Sequence, residues 1–556
     1  MTCSVAIVGA GPTAIYTLNA LLALRPAPFE LTIFEKQPII GKGTPYRPGW
    51  NDPAMLSNIA SIEIPPLATS LVAWLHAQSS ERLADMHIDQ AAIDDRTFYP
   101  RVVLGEFFSE QMEMLLEQAA SEGIVVTVRT RCEVLDAISG HDGMTLRVQP
   151  HRGECFEATF DHVILATGHQ WPEQPEVSPG YFASPWPASE IEKIPATHVG
   201  IRGSSLTAID AAVALAVAHG DFVEAEDGGI TYVPAPGTED FKMTMLSRKG
   251  LLPEADFYFP IPYEPLSICT AEAIEELIES DDTSLLDRTF ELFKRELAAA
   301  DPPYAQETHL ASLDLEDFCE GYFSRRLSSD PFEWARQNLA EAQLNYEQQH
   351  VVAWRYAILR MHEVIESIVP HLNDADFLRF SKHLKTVFID DYATVPHESI
   401  LRMLALHDSG KLEVVAVGEN YQIDPHGVSS GALLTHGSTK FHFPVFIEAT
   451  GQRALSAQDF PFPSLREQGI VHDVESSTEG GPARGIAIDD RFHPISSQIP
   501  ADQLFCVSLP FIMGRHPFVQ GITSSHEIGE IVAAELAAEI GQRCVTGETE
   551  QELSER

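Results

Sequence analysis

The stretch that most constrains this chain is its first thirty-five residues. Ser4–Val8 is a short apolar run rich in β-branched residues, the signature of a fully buried strand. Gly9, Gly11 and Ala14 then give the spacing G-x-G-x-x-A, with Pro12 and Thr13 between them, and a helical apolar pattern runs over Ile15–Leu22. In this pattern Gly9 allows a tight turn, Gly11 lets a pyrophosphate approach the backbone, and Ala14 lets the helix pack closely on the strand. The helix N-terminus offers free N–H groups and its positive dipole end to phosphate. A second strand over Glu30–Glu35 ends in an acid, followed by Lys36, where a carboxylate takes the ribose hydroxyls of an adenosine. Strand, turn, helix, strand and acid in this order predict a βαβ unit that binds a dinucleotide.

At 556 residues the chain is too long for one ordinary core and predicts two or three domains. No run of about eighteen apolar residues is present, so no membrane span is expected, and the first strand is needed by the fold rather than serving as a signal peptide. The formal charge is -44, with 81 acids against 37 bases, which disfavours nucleic acid and anionic membranes as partners. The seven cysteines are scattered, without a C-x-x-C pair. That argues for a reducing, cytoplasmic setting and against a zinc site or a redox dithiol. No metal site, hydrolase elbow or Walker loop is visible in the spacing.

Further along, Gly41–Gly49 is rich in Gly and Pro and reads as loop; Gly105–Glu122 reads as a long amphipathic helix after Tyr99-Pro100-Arg101. Val125–Arg131 and Leu146–Gln149 alternate like strands of an antiparallel insert. Asp161–Gly168 is a buried strand running into Ala166-Thr167-Gly168. With these residues the chain resembles the two-dinucleotide-binding-domain flavoproteins, a group that includes flavin monooxygenases and N-hydroxylases. Gly11-Pro12-Thr13, Gly43-Thr44-Pro45-Tyr46 and Leu56-Ser57-Asn58 resemble a branch described only as FAD/NAD(P)-binding. The resemblance implies an α/β fold: an interrupted Rossmann-like FAD domain, an inserted Rossmann-like NAD(P)-type domain, and a helical insertion. It implies FAD contacts at Gly9, Gly11, Pro12, Thr13, Ala14, Glu35, Lys36, Gly43, Thr44, Pro45, Tyr46, Arg101, Val134, Ala166, Thr167 and Gly168, with Pro45 or Tyr46 stacking on the flavin ring.

A second nucleotide motif follows at His198–Asp210. Gly203 takes the first glycine position and Ala208 the third small one, but Ser205 stands at the centre. A serine there hinders close pyrophosphate approach, although Ser204 or Ser205 could bond a phosphate or simply cap the helix. The strand Phe241–Ser247 ends in Arg248-Lys249 rather than an acid, which favours the 2′-phosphate of NADPH over NADH; an exposed basic loop is the alternative. Helical spacing dominates from about 265 to 400, with Asp390–His397 read as a polar-aromatic turn facing the active cleft, and Lys411–Val417 returns to strand pattern. Phe443–Gln452 repeats the strand ending as Ala449-Thr450-Gly451.

The closing stretch carries Gly514, Arg515, His516, Gln520 and Gly521, then Ile522, Thr523 and an amphipathic helix to about Ile540. In similar flavoproteins the last helix aims its N-terminus at the flavin, where its dipole stabilises negative charge on the reduced ring. That places Arg515, His516 and Gln520 near the ring, with His516 as a proton shuttle, and adds Gly451, Gly514, Gly521, Ile522 and Thr523 to the cofactor-binding set. The expected organisation is an FAD domain in two parts (1–175 and 441–545), an NAD(P)-type domain (176–265, with return strands over 401–440), a helical lid or substrate region (266–400), and an acidic tail (546–556).

The expected activity is that of an NADPH-dependent flavin monooxygenase. NADPH reduces FAD, oxygen adds at the flavin C4a, and the resulting peroxide attacks a small amine- or sulfur-containing molecule. Two other readings stay open: an FAD oxidase or dehydrogenase with a degenerate nicotinamide site, and a non-catalytic flavin- and nucleotide-binding redox sensor. A disulfide reductase is disfavoured by the absence of a close cysteine pair. Substrate and oligomeric state are not legible.

Overall fold

The computed structural model describes residues 2–170, 178–225, 228–280, 284–475, 483–496, 503–519 and 521–554. Their contacts divide the chain into two compact units. Unit 1 comprises 1–47, 59–172 and 452–556, and unit 2 comprises 48–58 and 173–451.

Unit 1 is built on a five-stranded parallel sheet. Its order is Leu504–Cys506, His162–Leu165, Cys3–Val8, Phe29–Glu35, Val125–Thr130. The central strand is apolar on both faces, with Val5, Ala6 and Ile7 all buried; a three-stranded antiparallel sheet packs against the parallel sheet, as in the Phe34–Phe160 ring contact at 5.9 Å. Pro12–Ala23 is the helix after the glycine turn, begun by a proline whose missing N–H costs nothing at that position. Val125–Thr130 corrects one expectation: it is a parallel edge strand paired with Phe29–Glu35, not part of the antiparallel insert. Period-two alternation reports a strand but not its direction. The antiparallel insert is instead the three-stranded sheet Cys132–Gly140, Gly143–Pro150, Phe156–Phe160.

Unit 2 repeats the same plan. Its parallel sheet runs Leu412–Ala416, Lys242–Ser247, His198–Arg202, Val445–Glu448, Tyr181–Phe182. The helix after its glycine turn, Leu206–His219, is alanine-rich and buried over most of its circumference, so small side chains let it lie close to its neighbours. Tyr421–Asp424, Ala432–His436 and Thr439–Phe443 form a separate antiparallel sheet. The stretch 265–400 is helical, with Leu285–Ala300, Leu315–Leu327, Pro331–Gln348 and Ala353–Glu366 its longest elements.

Two further expectations change. Asp390 and Asp391 lie in the helix Leu384–Tyr392 rather than in a turn facing a cleft, and both are committed to arginines. The last helix does not stop near Ile540 but runs from Ile522 to Ser554, through the stretch expected to be a solvated tail.

Candidate nucleotide and flavin sites

The two glycine turns are built alike. The Gly9 N–H donates to the Phe34 carbonyl at 2.8 Å, and the Gly203 N–H donates to the Leu246 carbonyl at 2.8 Å. Both glycines have positive φ, +99° and +128°. A Cβ on Gly9 would lie 2.3 Å from the Ala166 oxygen, and one on Gly203 would lie 2.3 Å from the Ala449 oxygen. The two Ala-Thr-Gly strand ends therefore serve the fold locally, each presenting the alanine carbonyl against which its glycine turn packs. The Ala166 and Ala449 N–H groups close the same register, donating to Val8 and Arg202 at 2.9 and 2.8 Å.

The central positions also correspond. Gly11 and Ser205 are the N-caps of their helices, both extended, with φ -88° and -107°. Serine adopts that conformation freely, so no backbone strain attends Ser205. Neither residue caps its helix through a side chain. Ser204 is no cap either: its hydroxyl donates to the Leu251 carbonyl at 2.5 Å and lies 2.9 Å from the Ser247 hydroxyl. The first-turn N–H groups of both helices are thus left for an acceptor other than a capping side chain, which suits a bound diphosphate.

At the strand ends the two copies diverge. Glu35 directs one carboxylate oxygen to the Ala10 N–H (3.0 Å) and the other to the Gln37 N–H (2.8 Å). Each oxygen keeps lone pairs for ribose hydroxyls. Its counterpart in unit 2 is Ser247, followed by Arg248 where Lys36 stands in unit 1. The Lys249 ammonium sits 3.0 Å from the centroid of the Phe323 ring. Burial, opposed by the charge of Asp390, pushes its pKa down to about 8. Arg248 is exposed.

Around the unit 1 turn, the loop carrying Gly43 lies directly over the glycine motif. A Cβ on Gly11 would meet the Gly43 Cα at 3.3 Å, and one on Gly43 would meet Pro12 Cδ at 3.0 Å. Thr44 and Pro45 continue this loop, half-buried, to Tyr46, whose ring packs on Phe108 at 5.3 Å. Burial pushes the Tyr46 phenol up to about 12, so it stays protonated at neutral pH. Arg101 begins the helix Arg101–Ser121, and its charge acts on both Tyr46 and His169. Val134 lies half-buried in Cys132–Gly140, beside a register shift that separates it from Asp136. Thr167 donates through its hydroxyl to Ser508 Oγ at 2.7 Å, and Ser508 in turn donates to the Leu165 carbonyl at 3.0 Å. Gly168 and Gly451 follow with positive φ, +70° and +82°.

His169 is a residue that spacing alone did not single out. It is the first titratable group past Ala166-Thr167-Gly168, which is the signal that could have found it. Burial holds its imidazole below the usual histidine range; the Arg101 charge adds to this, and a hydrogen bond with Gln452 opposes it. Tyr46, Arg101, His169 and Gln452 thus form a connected group in unit 1.

The helix Ile522–Ser554 meets Pro12–Ala23 at its start. Thr13 Oγ1 and Ser525 Oγ are 3.1 Å apart and buried, and Ser525 also bonds the Gly521 carbonyl at 3.3 Å. Two helix N-termini, and so two positive dipole ends, converge at this contact. Ile522 is buried there and Thr523 exposed. Gly529, also unremarked in the sequence, sets the crossing: a Cβ on it would lie 2.7 Å from Thr17 N and from the Tyr16 carbonyl carbon.

The expected catalytic residues are placed differently from one another. Arg515 pairs with Asp490. The His516 ring packs at 5.3 Å from Phe492. Gln520 lies outside the described residues. Gly514 is required by packing, since a Cβ there would meet the Arg484 carbonyl at 1.8 Å.

Comparison with known proteins now decides the family. Over 532 residues the chain is 41% identical to YdhS of Escherichia coli (strain K12), a protein called uncharacterized, covering 95% of this chain and 96% of that one. The chain belongs to the YdhS family. Residues 270–392 match the YdhS-like middle domain, which falls within the helical stretch of unit 2. Residues 6–170 match the FAD-NAD(P)-binding family and form its glycine turn, acid-ended strand and Ala-Thr-Gly strand end. Among solved structures, this YdhS-family chain is similar to the ornithine hydroxylase PvdA from Pseudomonas aeruginosa, with 14% identity over 97% of this chain and 99% of that one and a TM-score of 0.49. It is also similar to the Kutzneria sp. 744 ornithine N-hydroxylase KtzI (15%, 98% and 100%, TM-score 0.46). The bacillithiol disulfide reductase Bdr (YpdA) from Staphylococcus aureus is similar too (11%, 97% and 99%, TM-score 0.42). At these identities hydroxylases and a disulfide reductase match alike, and the likeness does not choose a reaction. No helix among the described residues is long and apolar enough to cross a membrane.

Proposed function

We propose that the chain is an FAD-dependent oxidoreductase that takes its electrons from NADPH and oxygenates a small amine- or sulfur-containing molecule. The reading rests on the duplicated turn with unequal strand ends. Two helices begin with uncapped first turns, one beside an acid and the other beside an arginine. Glu35 suits the ribose hydroxyls of FAD, whereas Ser247-Arg248 suits a 2′-phosphate, which an acid would repel.

In this reading the first-turn N–H groups beyond Gly11 hold the FAD diphosphate and Glu35 holds the ribose. FAD, when bound, supplies hydride acceptance and oxygen activation. The chain's own residues do the rest. The N-terminal end of Ile522–Ser554, fixed to Thr13 through Ser525, favours negative charge beside it. His169, neutral at neutral pH, accepts a proton at a ring nitrogen, and the protonated Tyr46 donates a hydrogen bond without competing for that proton. Arg248 reads the phosphate of the reductant as a bidentate partner.

Anaerobic titration of the purified holoprotein with NADPH and with NADH tests this. Rapid flavin bleaching by NADPH, with reoxidation in air, is expected. Arg248→Ala should lower the preference for NADPH by roughly 10- to 100-fold, the worth of a charge-assisted contact. Bleaching by neither nucleotide would favour the second reading, an FAD oxidase or dehydrogenase with a degenerate nicotinamide site. The engagement of Lys249 with Phe323 supports that alternative, because it commits one cation of the pair to an aromatic ring.

A further inference from the structure

Away from the nucleotide turns, unit 1 brings together side chains from three distant stretches of sequence. Glu535 and Glu539 are one turn apart on Ile522–Ser554 and share a face. His493 approaches from the loop before Leu504–Cys506, and His162 opens the strand His162–Leu165. One ligand-type atom from each of His493, Glu535 and Glu539 lies within 4.8 Å of the others.

The protonation pattern of His493 is fixed by its surroundings. Its Nδ1 lies 3.0 Å from the Leu504 carbonyl, which can only accept, so Nδ1 carries the proton. In the neutral ring Nε2 then presents a lone pair. His493 is 7% exposed, and Nε2 has no hydrogen-bond partner among the described residues. Glu539 Oε2 and both ring nitrogens of His162 are likewise buried without a hydrogen bond, although His162 Nδ1 lies 3.1 Å from Glu539 Oε2. Glu535 keeps one external partner, Arg491, at 2.7 Å from Oε1.

Buried polar atoms left unmatched are costly, and two carboxylates one turn apart on a helix repel each other. A divalent cation would take up the His493 Nε2 lone pair and offset the repulsion between Glu535 and Glu539. We propose that His493, Glu535 and Glu539 bind a divalent transition-metal ion of the zinc class, with His162 orienting Glu539 from outside the ligand set. An imidazole nitrogen with two carboxylates suits such an ion better than Mg²⁺ or Ca²⁺, which prefer all-oxygen ligands. Bonds of about 2.0–2.1 Å at tetrahedral angles need ligand atoms roughly 3.3 Å apart. The ion ties the last helix to the sheet strand His162–Leu165 and the loop at His493, some four turns from the helix start at the Thr13–Ser525 contact. Its role is structural, and it is independent of the proposed reductant and substrate.

The test uses the full-length chain without an affinity tag, stripped by chelator and titrated with Zn²⁺ by calorimetry, with metal content read by elemental analysis and stability by thermal melting. One ion per chain and a raised melting temperature are expected. Glu535→Gln and Glu539→Gln should each weaken binding by about 100-fold or more. His162→Gln should weaken it about 10- to 100-fold, as loss of an orienting partner does. Co²⁺ should give d–d absorption to the red of the flavin bands in the unmutated chain and lose it in Glu539→Gln, which reports the site even if the melting behaviour changes. No uptake by the unmutated chain, uptake unaltered in the two Glu variants, or equal affinity for Mg²⁺ would each overturn the proposal.

Discussion

Whether a glycine can be replaced depends on backbone and neighbours together, and the two nucleotide turns separate these. Gly9 and Gly203 combine positive φ with a carbonyl 2.3 Å from any Cβ. Gly9→Ala and Gly203→Ala should each cost at least about 2 kcal/mol from left-handed strain and overpacking, read from urea midpoints. Gly9→Ala should also lower the flavin-to-protein ratio. Ser205→Gly should change stability by no more than about 0.5 kcal/mol, since Ser205 is extended and makes no capping bond. A buried acid offers a second test. Asp391 is 1% exposed; burial, with help from Asp390 and opposition from Arg355, pushes its carboxyl up to about 8. The unfolded value is about 3.9. Between these values the folded chain holds a proton that the unfolded chain has released, so this residue's contribution to stability falls as pH rises. Asp391→Asn removes that dependence. The stability difference between variant and parent should move in the variant's favour from about pH 5 to about pH 9 in urea titrations.

Among elements, the contact between Pro12–Ala23 and Ile522–Ser554 bears most directly on the flavin site proposed above. It is set by one absent side chain, at Gly529. In an open helix Gly→Ala gains up to about 1 kcal/mol. That gain is expected at Gly541, where nothing lies within 4 Å of an added Cβ. At Gly529 the same substitution meets backbone at 2.7 Å. Gly529→Ala should therefore destabilise by about 1–3 kcal/mol and loosen flavin retention, while Gly541→Ala stabilises. Thermal melts of the two variants with flavin-release fluorescence check the opposite signs. The helical stretch of unit 2 is held otherwise, by polar contacts buried among its aromatics. Arg355 pairs with Glu254 at 2.8 Å and donates a hydrogen bond to Asp391 at 3.3 Å, while Arg326 pairs with Asp390.

For the whole molecule, the dominant electrostatic fact is a formal charge of -44. Like charges at this density repel through solvent, and the folded chain holds them closer than the unfolded one does. Raising salt from about 0.01 M to about 1 M shortens the screening length from about 30 Å to about 3 Å. The melting temperature should rise across that range. A fall would mean that ion pairs such as Lys242–Glu413 and Arg379–Asp287 outweigh the general repulsion. The two units share one sheet plan, and the copies differ at their strand ends, with Glu35 against Ser247 and Lys36 against Arg248.

By itself the amino-acid sequence determined the parts whose geometry is local. The strand at Ser4–Val8, both glycine turns, the helices after them and the two Ala-Thr-Gly endings are written in spacings of a few residues, because φ, chain reversal and helix starts depend on near neighbours. The helical character of residues 265–400 was legible for the same reason, through its period. The tertiary structure decided what period and spacing cannot carry: the direction of Val125–Thr130, the commitment of Asp390 and Asp391 to arginines, and the partners of Arg515 and His516. It also brought Tyr46, Arg101 and His169 together, and placed His493 against Glu535 and Glu539. Each of these depends on which distant side chains meet, and packing of the entire unit selects that. Local sequence sets where the backbone can turn, whereas the charge and hydrogen-bond partners of a buried group are chosen only when the sheet and its covering helices close around it.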